Sequence, residues 1–420
     1  MKVLWLVNIM LPAYAEANGL EASVREGWLT GLYERFLRSS AEEHDIRLAV
    51  CFPGDTDGRK EMIGDVSFYR FREDLSRPER YDRRLEKRFR AILDEYDPDL
   101  VHIFGTEFPH ALAMARACGR PGRILIGIQG ICSEIAGRYR ADLPEAVWKR
   151  VTPRDLLRRD SLIQQQEKYR MRGVREKSAL LIAGHVTGRT AFDREFTRKL
   201  LPHAVYHHMN ETMRAPFYEG QWTYENAVPH TVFVAQGDYP LKGLHFLLRA
   251  LPYLRRRFPD LHVTVAGNNI IRDKLRIGAY GEYLQYLIRK NNLADSVTFT
   301  GSLTAQGMRE QYLRSHVFAC PSVLENSPNA LGEAMLTGVP CIASRAGGIP
   351  SMLDDGREGI LFPAGDVRAL AEGLQSLLEN RALCEKLSAG ARVRAGKTFD
   401  GAANVMRLNE IYREMAGEAT

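Results

Sequence analysis

Apolar residues recur along the first half of the chain in short runs separated by amphipathic stretches. The runs at 2–8, 46–52, 98–104, 123–128, 179–183 and 203–207 predict buried strands, while 21–38, 79–96 and 107–118 carry apolar residues at helical spacing. Gly188-Arg189-Thr190 and Asp193 read as the start of a further helix. The second half repeats the alternation more regularly. Strands at 231–236, 261–267, 296–300, 317–320, 339–343 and 359–362 interleave with helices near 243–257, 280–291, 304–315, 328–337 and 366–379. Such alternation predicts an α/β fold made of two doubly wound, mainly parallel sheets with helices on both faces. The join falls near 210–230, where Pro216, Gly220 and Pro229 interrupt the periodicity. Domains of 1–212 and 213–399 follow.

The size of the chain agrees: 420 residues exceed one compact core. A hydrophobic content of 45% and a charged content of 26% exclude disordered and fibrous classes. No apolar run approaches the roughly 18 residues of a membrane helix. Lys2, the run from Val3 and Ala13-Tyr14-Ala15 mimic a short signal peptide, but one basic residue and polar Asn8 fit better a first buried strand, in a cytoplasmic protein. Six cysteines at 51, 118, 132, 320, 341 and 384 form no C-x-x-C pair and read as reduced thiols. Neither half has G-x-G-x-x-G after its first strand, which disfavours a nicotinamide dehydrogenase.

Charge is unevenly spread. Segment 138–177 holds twelve Arg and Lys against six Asp and Glu, so it carries the entire net charge of +6. It reads more simply as one or two solvated helices, with anionic lipid headgroups at a membrane surface or a lipid-pyrophosphate acceptor as the alternative partners. Nucleic acid is not expected as a partner, since the aromatics Tyr139, Trp148 and Tyr169 are sparse.

The candidate chemistry lies late in the chain. The apolar run 317–320 ends in Pro321-Ser322, and a helix follows, with Ser327 placed to cap it, Pro328 at its first position, and Gly338 and Pro340 to stop it. Glu325 falls in the loop before that helix and Glu333 on its second turn. In open α/β sheets, ligands bind beyond the carboxyl ends of strands, beside helix N-termini. Two carboxylates there suit hydrogen bonds from the hydroxyls of ribose and sugars.

The stretch Glu325 to Glu333 resembles the E-x7-E signature of retaining glycosyltransferases of family 4 (group 1), which have the GT-B fold. The surroundings resemble that family too: Gly338-Val339-Pro340-Cys341-Ile342-Ala343-Ser344, Gly347-Gly348-Ile349-Pro350 and Asp355-Gly356-Arg357-Glu358-Gly359-Ile360-Leu361-Phe362. The resemblance implies two Rossmann-like domains facing a cleft, with a C-terminal helix near 400–417 crossing back to the first domain. It implies a metal-independent hexosyl transfer without cofactor, from a nucleoside diphosphate sugar, UDP-linked on family frequency. The acceptor would be a hydroxyl of a glycan, a lipid-linked sugar or a small molecule. Glu325 would orient the donor sugar and Glu333 the nucleotide ribose, with Asn326, Ser327, Pro328, Asn329 and Ala330 presenting backbone to the donor and Leu303 near the base.

Ala235-Gln236-Gly237-Asp238-Tyr239-Pro240-Leu241-Lys242-Gly243 resembles the family's diphosphate turn, G-R-x(4)-K-G. Lys242 and Gly243 carry over; Gln236 stands where Arg is usual, with Arg345, Arg189 and Arg214 as substitutes between which sequence does not choose. Gln129-Gly130 replaces the histidine the family often has after the strand 123–128, leaving Gln129 to bond donor sugar or acceptor. On the acceptor side the expected residues are Asn18, Gly19, Gly27, Trp28, Glu107 and Arg189, with Gly27-Trp28 equally readable as helix packing, and His102 more simply a core residue. Asn210-Glu211 would contact ligand or stabilise the hinge. Asp55-Thr56-Asp57 resembles the metal-binding D-x-D of another transferase fold but reads as a turn between Gly54 and Gly58. A GT-B sugar-nucleotide epimerase and a catalytically idle relative are the alternatives.

Overall fold

The structure is a computed structural model that describes residues 1–21, 27–43, 46–272 and 276–417. Within them the apolar runs build two sheets. The first contains β1 (Lys2–Leu6), β2 (Arg47–Gly54), β3 (Glu61–Ile63), β4 (Val66–Arg72), β5 (Leu100–Phe104), β6 (Ile124–Gly127), β7 (His185–Gly188) and β8 (Val205–His208). They lie in the order β3-β4-β2-β1-β5-β6-β7-β8, parallel except for the β3–β4 pair. The second contains β9 (Val228–Val234), β10 (His262–Ala266), β11 (Val297–Gly301), β12 (Ser315–Cys320), β13 (Cys341–Ser344) and β14 (Ile360–Phe362), all parallel, in the order β11-β10-β9-β12-β13-β14.

The composition of the strands explains the layering. Every residue of β5, β6, β12 and β13 is buried, as expected of parallel strands covered by helices on both faces. In the second sheet the chain runs outward from β9 to β10 and β11, then returns to place β12 on the other side of β9. The strand order therefore reverses between β9 and β12. The first sheet has the same reversal between β1 and β5.

The chain divides into two units. The first comprises 1–136, 168–213 and 399–420, and the second 137–167 and 214–398. Segment 137–167 therefore belongs with the second unit, not with the 1–212 block assigned from sequence, and the basic segment 138–177 is split between the two. Helix Gly401–Ala416 packs on helix Gly27–Glu43 of the first unit. Its Tyr412 hydroxyl accepts from Trp5 Nε1 at 2.8 Å and meets His102 Nδ1 at 2.7 Å in the core.

Other differences have local causes. The apolar run 179–183 is not a strand: it closes helix Leu162–Leu180, and the strand begins at His185. A short apolar run is the same signal in a buried strand and on a buried helix face. The helix expected after Gly188 forms as Ala191–Leu200, with a capping box in which the Thr190 hydroxyl accepts from the Asp193 N–H and the Asp193 carboxylate from the Thr190 N–H. Strands β3 and β4 and helix Arg381–Thr398 were not anticipated. Residues 22–26 of the helix expected at 21–38 lie outside the described residues.

Candidate functional site

The reversal point of the second sheet is occupied by charge. After β9 the turn Pro240–Lys242 leads into helix Leu244–Arg255; after β12 a loop leads to helix Asn329–Thr337. Lys242 Nζ lies 2.7 Å from Glu325 Oε1, and the Ser322 hydroxyl donates to the same oxygen at 2.8 Å. Burial pushes the Lys242 ammonium down, but Glu325 beside it more than offsets this and holds its pKa well above the ordinary value. Lys242 also lies over the Tyr239 ring, 5.5 Å from its centroid.

Two glycines make this approach possible. Gly243 has φ +70°, and a Cβ there would lie 1.9 Å from the Pro321 carbonyl oxygen. Gly347 has φ +53°, and its Cβ would lie 2.0 Å from the Glu325 carbonyl oxygen. The Glu325 loop is clamped between these two turns by bonds from Val323 N–H to Leu241 O (2.7 Å) and from Gly348 N–H to Glu325 O (2.9 Å).

Glu333 is held separately. The helix begins one residue later than expected, at Asn329, with Pro328 in the cap position and no side-chain cap, so Ser327 does not cap it; Gly338 ends it in the left-handed region as anticipated. Glu333 is buried, with Oε1 accepting from Arg214 Nη2 at 3.0 Å and Oε2 from the Tyr312 hydroxyl at 3.1 Å. Burial raises its carboxyl pKa, against the opposing pull of Arg214. Of the three substitute arginines, Arg214 joins this cluster. Arg345 pairs with Asp355 at 2.6 Å, and Arg189 belongs to the first unit. Tyr312 and Ser322 were not anticipated as partners.

The remaining donor-side residues are distributed unevenly. Asn326, Ser327, Pro328, Asn329 and Ala330 form the segment between the two glutamates, and Asn329 Oδ1 is buried without a hydrogen-bond partner among the described residues. Gln236 follows β9 and lies against Gly267 at the end of β10. Leu303 follows β11, the sheet's edge strand, two positions away from β9. A cavity of about 250 Å³ adjoins the Lys242 turn, lined by Asp238, Tyr239 and Pro240, by Asn268 after β10, and by Arg154 and Gln165.

In the first unit the expected residues separate into several places. Asn18 and Gly19 (φ +64°) terminate the short helix Pro12–Ala17, with Asn18 Nδ2 donating to Tyr14 O. Gly27 is the first described residue of helix Gly27–Glu43, and Trp28 packs in the core against Phe104, ring centroids 5.9 Å apart, while also lining the cavity described below. Glu107 accepts from the Gly130 N–H at 2.5 Å, tying the loops after β5 and β6 together. Gln129 and Arg189 do meet: Arg189 Nη2 donates to Gln129 Oε1 at 2.8 Å and lies 2.7 Å from Glu211 Oε1. Burial lifts the Glu211 carboxyl to about 7. These three line a cavity of about 20 Å³ with Trp28, His102 and Phe104, room for one water-sized group. His102 is a core residue whose pKa burial pushes down to about 3. At the reversal between β1 and β5 the structure places a chain that sequence did not reveal, Glu73 to His110 Nδ1 (2.5 Å) and His110 Nε2 to Asn8 Oδ1 (2.9 Å). Asp57 accepts from the Arg72 N–H, consistent with a turn.

Residues 225–394, less than half the chain, match the family model described as glycosyl transferases group 1. That range contains Lys242, Glu325 and Glu333; Arg214 lies outside it. A GDP-mannose-dependent alpha-(1-6)-phosphatidylinositol monomannoside mannosyltransferase of Mycolicibacterium smegmatis is 34% identical over 146 residues, covering 33% of this chain and 36% of that protein. The chain spans less than half the length of the curated relatives it matches. A sucrose-phosphate synthase from Thermosynechococcus elongatus superposes with a TM-score of 0.72 over 100% of both chains at 16% identity. Anabaena HepE, solved with UDP and glucose, gives 0.67 over 98% of this chain and 99% of its own, also at 16% identity. The chain has the GT-B architecture, and residues 225–394, within its second unit, are similar to the group 1 glycosyl transferases.

Proposed function

We propose that the chain is a metal-independent, retaining hexosyltransferase of the family 4 type, moving a sugar from a nucleoside diphosphate sugar to a hydroxyl of a glycan, lipid-linked or small-molecule acceptor. One observation carries the reading: at the carboxyl ends of β9 and β12, where the strand order reverses, two carboxylates stand in one loop-helix segment, each held by its own cation.

The two pairs suit different parts of a donor. Lys242 has three N–H donors and gives one to Glu325, which leaves it able to bind a diphosphate and to stabilise the charge that grows as the C1–O bond to phosphate breaks. Glu325 keeps lone pairs to accept from sugar hydroxyls. The new bond forms between C1 and the acceptor oxygen, and the acceptor's proton passes to the departing phosphate. Glu333, though bonded to Arg214 and Tyr312, retains lone pairs for a ribose hydroxyl, and those two neighbours fix its orientation.

The comparisons support a nucleotide-sugar donor but name different bases, GDP for the mycobacterial relative and UDP for the HepE complex. The phosphatidylinositol of the relative's name supports a lipid-linked acceptor.

A thermal-shift panel of UDP, GDP, ADP, TDP and CMP, with and without Mg2+, tests the reading. A ligand at 100 times its Kd stabilises by about 2.7 kcal/mol, a clear shift. One nucleotide is expected to stabilise wild type without metal and to lose its effect in Glu333→Ala. Silence from the whole panel would sink the donor assignment.

A further inference from the structure

Segment 137–167 carries an exposed apolar surface beside its basic residues. Leu157 and Leu156 are 86% and 74% exposed, the two most exposed large apolar side chains among the described residues, and they are adjacent. Val151 (49%) and Ile163 (46%) are exposed on either side of them in sequence. Arg158 and Arg159 follow directly, and neither side chain has a carboxylate partner among the described residues. Exposed Lys149 and Arg150 precede them, each already paired, with Glu145 at 2.5 Å and with Glu282 at 3.0 Å.

The exposure is built in. Helix Pro153–Arg158 opens with a capping box between Thr152 and Asp155 and ends at Arg159 in the left-handed region. Asp155 is buried and also accepts from the Ala279 N–H at 3.1 Å, while Arg154 bridges Asp155 and Asp160 at 3.0 and 3.3 Å. The helix thus turns its polar side inward, onto the start of helix Ala279–Lys290, and its leucines outward. This inverts the usual arrangement of a helix on a protein surface. A loop free to settle would bury two leucines, and this one is pinned so that it does not.

From this geometry we propose that Leu156-Leu157-Arg158-Arg159 is a docking surface for an anionic lipid bilayer. The leucines enter the headgroup boundary, and Arg158 and Arg159 meet lipid phosphates. Two apolar anchors flanked by cations match that surface in both polarity and sign. Each leucine is expected to contribute about ten-fold to binding, and each unpaired arginine about five-fold.

The test is flotation of the full chain with vesicles of phosphatidylcholine alone and of an equimolar phosphatidylcholine and phosphatidylglycerol mixture. Wild type should float with the mixed vesicles and much less with phosphatidylcholine. Leu156→Ser/Leu157→Ser and Arg158→Glu/Arg159→Glu should each remain in the unbound fraction, with melting temperatures unchanged because the substituted side chains are exposed. No flotation by wild type, or undiminished flotation of the leucine variant, overturns the proposal. So does a dimer in sedimentation velocity that the leucine variant abolishes, since the patch would then be covered by a second copy. The readout needs no donor or acceptor, so it stands or falls separately from the proposed transfer reaction.

Discussion

Lys242 and Glu325, 83 residues apart in sequence, meet at 2.7 Å and join the turn after β9 to the loop after β12. The pair is both a fastening of the second unit and its candidate diphosphate and sugar contact. Removing one partner leaves the other charge in a mostly dry site.

Lys242→Met should therefore lower stability by about 2–3 kcal/mol, read as a shifted urea midpoint. The double variant Lys242→Met/Glu325→Gln should regain much of that loss while nucleotide binding stays abolished. If the double variant is no more stable than the single one, the pair does not act as a unit.

The two glycines that clamp the Glu325 loop give a second expectation. Gly243→Ala and Gly347→Ala place a methyl group against the carbonyls of Pro321 and Glu325 in addition to forcing a left-handed backbone. Gly356 has φ +72° but nothing within 4 Å, so Gly356→Ala isolates the backbone cost. That control should lose about 1 kcal/mol, and the two clamp variants about twice as much or more together with nucleotide affinity. Equal losses in all three would mean that the loop tolerates displacement.

Burial lifts the Glu211 carboxyl from 4.5 to about 7, and does the same for Glu176, which caps the start of helix Cys132–Arg138. A carboxyl whose pKa is raised by folding favours the fold when protonated, so stability falls as pH rises from about 4.5 through about 7. Glu211→Gln removes one of the two contributions. The loss of stability between about pH 5 and about pH 7.5 should shrink by about 2 kcal/mol relative to wild type. Urea titrations at the two pH values check it; an unchanged difference would show that Glu211 is already ionised across the range.

Tyr412→Phe strips the partner from Trp5 Nε1 and His102 Nδ1 in the core of the first unit. Two buried groups left unsatisfied should cost about 2–3 kcal/mol, seen as a lower melting temperature without loss of nucleotide binding.

Much of this architecture could be read from the chain because parallel strands buried on both faces appear as uninterrupted apolar runs, as in 98–104 and 317–320. The same property misled at 179–183, where the end of a helix is equally apolar. Glu325, Glu333 and Lys242 stood out because their surroundings resemble the family's motifs, and proline and glycine placed those motifs at strand-to-helix turns. Their partners did not: Arg214 is 119 residues from Glu333, and Tyr312 sits on an ordinary amphipathic helix. Glu73, His110 and Asn8 likewise converge only through the strand order. Nor does any periodicity show that 137–167 leaves the sheet it interrupts, since that depends on Asp155 finding the start of a helix more than a hundred residues later.

The first unit is assembled from three separated stretches of chain, the last of which brings Tyr412 to Trp5 and His102. During synthesis the ribosome delivers everything the second unit needs by residue 398, before the first unit can close its core. The half of the protein that is made first must therefore be the half that is finished last, and a nascent chain halted before helix Gly401–Ala416 would carry a completed second unit beside an unsealed first one.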